Sequence, residues 1–180
     1  MKNTFKITYS AIIVALCEVF LISTGLFPFA TYALPAIAGM LLSGVMVEFG
    51  GKTAYLSYLA ASLLALLIAP DKEAAVMFLV FFGHYPISKA YFERIRIRWL
   101  EIVLKLLSFN FIIILTYATL IYLVGMKDLL EGFSDFGKLT LPILLILANI
   151  VFIVYDIGLT RVIRFYIFII KPRIVERLRK

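Results

Sequence analysis

Four side chains in this sequence stand where lipid-like surroundings would penalise them most. Glu18 lies inside ITYSAIIVALCEVFLISTGLF, His84 inside FFGHYPISKAY, Asn110 inside LLSFNFIIIL, and Asn149 inside LLILANIVFIV. Each is a hydrogen-bonding or ionisable group in an apolar run of helix-forming length. Such groups are costly in a bilayer and need a partner or a task. Counted along a helix from the nearer end of its run at about 1.5 Å per residue, each lies roughly 15–18 Å deep. Two chemistries follow from a common depth. The groups can hydrogen-bond one another as glue between helices. They can also form the floor of an outward-opening cavity for a small polar molecule, with Tyr117, Tyr122, Lys138 and Thr140 above it. An ion pair or hydrogen bond between Glu18 and His84 is the first structural expectation.

Catalysis has little to work with. No P-loop, no Gly-x-Ser-x-Gly and no His-Glu-x-x-His is present. One histidine limits general-base chemistry, and one histidine with one cysteine does not make a zinc site. The expectation is a non-enzyme with no metal and no cofactor. Cys17, as the single cysteine, has no intramolecular disulfide partner.

The elements that would position these groups are membrane helices. The 180 residues are 63% hydrophobic, well above the roughly 45–50% of soluble chains. Six candidate spans can be drawn: Ile7–Phe27, Ala30–Val47, Thr53–Ala69, Glu73–Tyr91, Trp99–Val124 and Leu139–Arg161. Turn signals separate them at Pro28, Gly50-Gly51, Pro70 and Gly125. The expected fold is an all-α membrane protein, a six-helix bundle in one domain of residues 1–180. Lys2 and Lys6 ahead of an apolar run resemble a signal peptide. Glu18 interrupts that run and no small-residue cleavage site follows, so the first helix is read as retained.

Charge sets the orientation. With a cytoplasmic N-terminus, 14 of the 18 Lys and Arg residues fall in cytoplasmic segments, including Lys89, Arg94, Arg96 and Arg98 in one connector and the basic tail 162–180. Outer loops hold Lys72, Lys127 and Lys138. This bias predicts both termini inside and an even number of spans in the cell membrane. The net charge of +7 is then a topology signal and an attraction to anionic lipid heads, not a nucleic-acid footprint.

Local spacing adds detail. Ala11 and Ala15 stand four apart, a small face for close helix contact, and Glu18 follows seven residues after Ala11 on nearly the same stripe. Gly39 and Ser43, then Ser57, Ala61 and Ala65, repeat that spacing on the next two helices. Pro86 frees the carbonyl near Phe82 and kinks the fourth span. Asp71 is suited to cap the helix after it. Glu101 and Lys105 stand four apart in the favourable order for an ion pair. The first outer turn, Phe27 to Tyr32, is aromatic and reads as an interfacial belt or as a lid over a pocket, with Tyr32 as a candidate ligand contact.

The length, the six spans, the Ala-x-x-x-Ala of Ala11 and Ala15 on the first helix, and Pro35 with Gly39 on the second resemble the S components of energy-coupling factor (ECF) transporters. These are the substrate-binding membrane subunits of vitamin importers. The resemblance implies that helices one to three face a transmembrane coupling subunit through the alanine face. Two cytoplasmic ATPase subunits would supply energy. A vitamin or related small molecule would bind near the outer side, between the first outer loop and helices four to six. Tyr32, His84, Asn110, Tyr117, Tyr122, Lys138 and Asn149 are the candidate ligand residues on that reading. The alternative is a scaffold membrane protein without a ligand, similar to the rod-shape-determining family.

Overall fold

The structure is a computed structural model and describes residues 2–122 and 140–175. Among these the chain is helical throughout, with no strand. Helix α1 runs Lys2–Ser23, α2 Ala33–Phe49 and α3 Gly51–Ile68. A short α4, Lys72–Met77, passes through a π turn at Phe78–Phe82 into α5, Tyr85–Phe92. Helix α6 runs Arg98–Tyr122, and α7 runs Thr140–Phe165 into a π segment, Tyr166–Val175.

Among the described residues, four helical stretches are long and apolar enough to cross a membrane: Asn3–Ser23, Gly51–Ile68, Arg98–Thr116 and Pro142–Pro172. Their outward residues are large apolar side chains such as Ile12, Val19, Leu56, Leu67, Phe111 and Val154. A surface of that kind belongs against acyl chains. The chain is therefore an all-α membrane protein. Helix α2 has 17 residues and falls just short of the same length. The expected fourth span is broken: the π turn, the Gly83-His84 turn and Pro86 divide it between α4 and α5.

The breaks have local causes. Gly50 adopts φ +77°, in the left-handed region that a side chain disfavours, and so lets α2 end and α3 start one residue later. Asp71 caps α4 as its type predicts, accepting from the Ala74 amide at 3.1 Å. Gly83 N–H donates five residues back to the Phe78 carbonyl at 2.8 Å, which closes the π turn.

The chain divides into two compact units, one of residues 1–91 with 158–180 and one of residues 92–157. In the first, α1, α2 and α3 pack on one another and on the π turn. Its core mixes small residues (Ala38, Ala61, Ala65, Ala69, Ala75) with Leu21, Leu42 and Phe78, all buried. Small residues let helix backbones approach where no hydrophobic drive separates helix from lipid. Gly39 is the sharpest case. A Cβ there would overlap the Phe82 carbonyl oxygen and lie 2.8 Å from its carbon. The carbonyl that Pro86 leaves without its helical donor is thus the one against which α2 presents a glycine.

In the second unit, α6 and the first part of α7 form an antiparallel pair. Phe109 and Phe152 stack across it with ring centroids 4.4 Å apart and planes 11° apart.

Candidate functional site

The antiparallel seam of the second unit holds two of the candidate ligand residues, and it brings them together. Asn110 and Asn149 each donate their side-chain amide to the other's Oδ1, at 2.9 Å both ways. Each Nδ2 also donates to the carbonyl four residues back in its own helix, Leu106 at 2.8 Å and Leu145 at 2.7 Å. Both amides are half-buried. Of the two readings of these asparagines, this arrangement is the mutual one: both donors of each amide are in use, one across the seam and one within its own helix. One turn toward the start of α6, Lys105 is buried among three carboxylates. Its Nζ lies 2.6 Å from Glu101, 3.4 Å from Asp156 and 3.6 Å from Glu93. The Glu101 contact is the one that i,i+4 spacing predicts. Asp156 and Glu93 come from α7 and from the turn before α6, and nothing local in sequence announces them.

The expected partnership of Glu18 and His84 is not formed. Both Glu18 carboxylate oxygens are buried and accept no hydrogen bond. The His84 Nδ1 instead faces the Phe81 carbonyl at 3.0 Å, and its ring sits 6.4 Å from that of Tyr58. The π turn and the Gly83-His84 turn carry the imidazole back over its own segment. On α1, Cys17 just before Glu18 points at α2 and donates its thiol to the Ala38 carbonyl at 3.2 Å.

The Phe27–Tyr32 turn is tied to the turn before α4. Thr31 Oγ1 donates to Asp71 Oδ2 at 2.9 Å, and the exposed Tyr32 donates its hydroxyl to Glu73. Phe27 and Phe29 beside them are exposed. Tyr32 therefore caps an acidic turn at this end of the first unit. Tyr117, Tyr122, Lys138 and Thr140 cannot be placed beside it: Lys138 and the other three side chains lie outside the described residues.

The three small-residue stripes part company in space. Gly39, Ser43, Ser57, Ala61 and Ala65 are buried inside the first unit, whereas Ala11 and Ala15 are exposed on α1. Ala11, with Lys6, Ser10 and Val14, borders a groove of about 410 Å³ whose other wall is Thr53, Ser57 and Ala60 of α3. Glu18 is not on that exposed face, although seven-residue spacing places it near the same stripe; it is covered.

A further cluster escaped the sequence reading. The Glu48 carboxylate near the end of α2 is almost fully buried, and Lys171 Nζ reaches its Oε1 at 3.2 Å. The Tyr166 hydroxyl donates to the same oxygen at 3.4 Å and pairs with the Tyr9 hydroxyl at 2.8 Å. Gly44 leaves room for both rings, since a Cβ there would sit 2.9 Å from the Tyr9 hydroxyl and 3.4 Å from the Tyr166 ring. The cluster ties the start of α1, the end of α2 and the segment after α7. Its contacts join Tyr9 and Glu48 to Tyr166 and Lys171, more than a hundred residues away, and nothing local in sequence announces them. Lys89, read with Arg94, Arg96 and Arg98 as part of one basic connector, lies in α5 and is fully buried. Among the described residues no group of His, Cys, Asp and Glu is arranged to hold a metal ion.

No protein-family model, no curated protein and no solved structure matches this chain.

Proposed function

We propose that this protein is the substrate-binding membrane subunit of an ECF-type importer. On this reading it has six spans and cytoplasmic termini, and it resides in the cell membrane. It carries a vitamin or related small molecule and leaves energy transduction to separate ATPase subunits. The observation that carries the reading is the exposed Ala11–Ala15 face beside the α1–α3 groove. In lipid, an exposed small-residue face gains little from acyl chains and much from a second helix that can approach closely. The partner for that face is the transmembrane coupling subunit. The small-residue stripes of α2 and α3 (Gly39, Ser43, Ser57, Ala61 and Ala65) are already used inside the bundle, which leaves the stripe of α1 to make the intersubunit contact.

The ligand would enter from the end where Tyr32 and the Asp71–Glu73 turn meet. A second reading has one observation in its favour: Asn110 and Asn149 satisfy each other and need no ligand. That favours a scaffold without a substrate, of the rod-shape-determining kind.

Two measurements separate these. In the first, tagged protein is expressed with candidate ATPase modules, and Ala11→Trp and Ala15→Trp are compared with the parent. The importer reading expects copurification that both substitutions abolish, with unchanged thermal stability. In the second, purified protein is screened against a vitamin library for thermal stabilisation. A true ligand at 100 times its Kd adds about 2.7 kcal/mol. No module and no stabilising ligand would leave the scaffold.

A further inference from the structure

The acids and bases around the start of α6 are unequally shared. Glu93 and Glu101, the two carboxylates nearest in sequence to the connector's arginines, both turn onto Lys105, at 3.6 and 2.6 Å. The connector itself reads Arg94-Ile95-Arg96-Ile97-Arg98-Trp99, with α6 beginning at Arg98. Arg96, Ile97, Arg98 and Trp99 are all exposed, Ile97 at 62% and Trp99 at 81%. Directly after them, the outward residues of α6 are aliphatic: Ile102, Val103 and Leu107.

We propose that this connector is a binding site for anionic phospholipid, with Arg96 and Arg98 on the head-group phosphate and Ile97 and Trp99 at the acyl boundary. The order along the chain is the order through a membrane surface: cations, then an indole, then a purely apolar helix face. Arginine suits the phosphate because its planar fork donates two parallel hydrogen bonds where a lysine offers a point charge. Arg94 adds a third positive charge to the same short segment. A soluble acidic protein could read the arginines, but it would have to cover an exposed isoleucine and tryptophan contiguous with a lipid-facing helix. A bilayer meets both at once. The proposal concerns the second unit alone and does not depend on the importer reading.

The chain contains a single tryptophan, so its fluorescence reports this site and no other. The purified full-length protein is reconstituted into phosphatidylcholine vesicles containing phosphatidylglycerol, with bromine on the acyl chains of one lipid or the other at equal mole fraction. The expected result is stronger quenching by brominated phosphatidylglycerol. That preference should fall roughly tenfold or more in the Arg96→Gln/Arg98→Gln double variant. The Arg96→Lys/Arg98→Lys variant, which keeps the charge, should retain more of it, and Lys52→Gln should leave it unchanged. Equal quenching by both lipids in the parent overturns the proposal. So does a preference that survives the glutamine pair, or one lost equally in the lysine pair, which would mark a structural effect. If inorganic phosphate at constant ionic strength removes the preference, the ligand is a free phosphoryl species and not lipid. If neither brominated lipid quenches Trp99, the segment faces water or a protein partner, and the proposal fails.

Discussion

Replacing Asn110 by leucine removes two hydrogen bonds across the α6–α7 seam, because each asparagine gives one and takes one at 2.9 Å. The remaining Asn149 is not wholly stranded. Its Nδ2 keeps the Leu145 carbonyl at 2.7 Å, while its Oδ1 loses the only donor seen for it. Replacing Asn149 instead leaves Asn110 in the mirror position, still bonded to the Leu106 carbonyl at 2.8 Å. The second substitution in either background therefore has no interhelical bond left to break. Polar bonds between membrane helices contribute on average about 0.6 kcal/mol and at most about 1.7 each. Two of them give an expected coupling energy of about 1–3 kcal/mol in the cycle of Asn110→Leu, Asn149→Leu and the pair. Leucine fills similar volume, so the cavity contribution stays small. The assay is reversible unfolding in mixed micelles followed by far-UV circular dichroism, with the four proteins at matched detergent composition. Additivity within about 0.5 kcal/mol would refute the reasoning. It would mean that the amides do not hold the two helices to each other and are available to something else.

The other expectations are briefer. Gly39→Ala forces a Cβ into the Phe82 carbonyl and should cost roughly 1–3 kcal/mol or more, since the neighbour is backbone and cannot swing away; an unchanged unfolding midpoint would refute the close contact. Lys171→Met leaves the buried Glu48 with only the longer Tyr166 contact, and should speed protease cleavage after α7. Adding Glu48→Gln should slow that cleavage again, because removing both charges hurts less than removing one. Glu18→Gln should cost less than about 0.5 kcal/mol or stabilise, as no bond to the carboxylate is lost, and its effect should add fully to that of His84→Ala. Strong coupling between those two would restore the partnership that the structure lacks.

What could be read from the sequence was mostly axial. Gly50, Pro70 and the Gly83–Pro86 segment mark helix ends because backbone freedom or a missing N–H acts within a turn of the residue that causes it. The Asp71 cap and the Glu101–Lys105 pair were legible for the same reason: cause and contact lie within four residues. The common level of Asn110 and Asn149 was legible too. Azimuth was not. Glu18 and His84 lie at comparable counted depths, yet a π turn of five residues turns the imidazole onto the Phe81 carbonyl. The same limit hid the third and fourth members of the Lys105 cluster and all of the Glu48–Tyr166–Lys171 contact, whose parts are 118 residues apart or more. Asn110 and Asn149 were left open between mutual bonding and a ligand because both outcomes use the same depth and the same donors.

That distinction changes where a transport function has to be sought. Of the four polar groups read at one level, Glu18 and His84 belong to the first unit and the asparagine pair to the second. The pair is satisfied, and a satisfied amide offers a ligand only the exchange of one good bond for another, which yields little affinity. Glu18 accepts nothing, but its oxygens are covered, so an incoming molecule would have to open the packing to reach it. Of the small-residue stripes, that of Ala11 and Ala15 on α1 is exposed, whereas Gly39, Ser43, Ser57, Ala61 and Ala65 are already in use. Exposure of that kind costs nothing in water but wastes close-packing capacity in lipid. The importer reading proposed above therefore rests on the exposed flank of α1 and on what would fit against it.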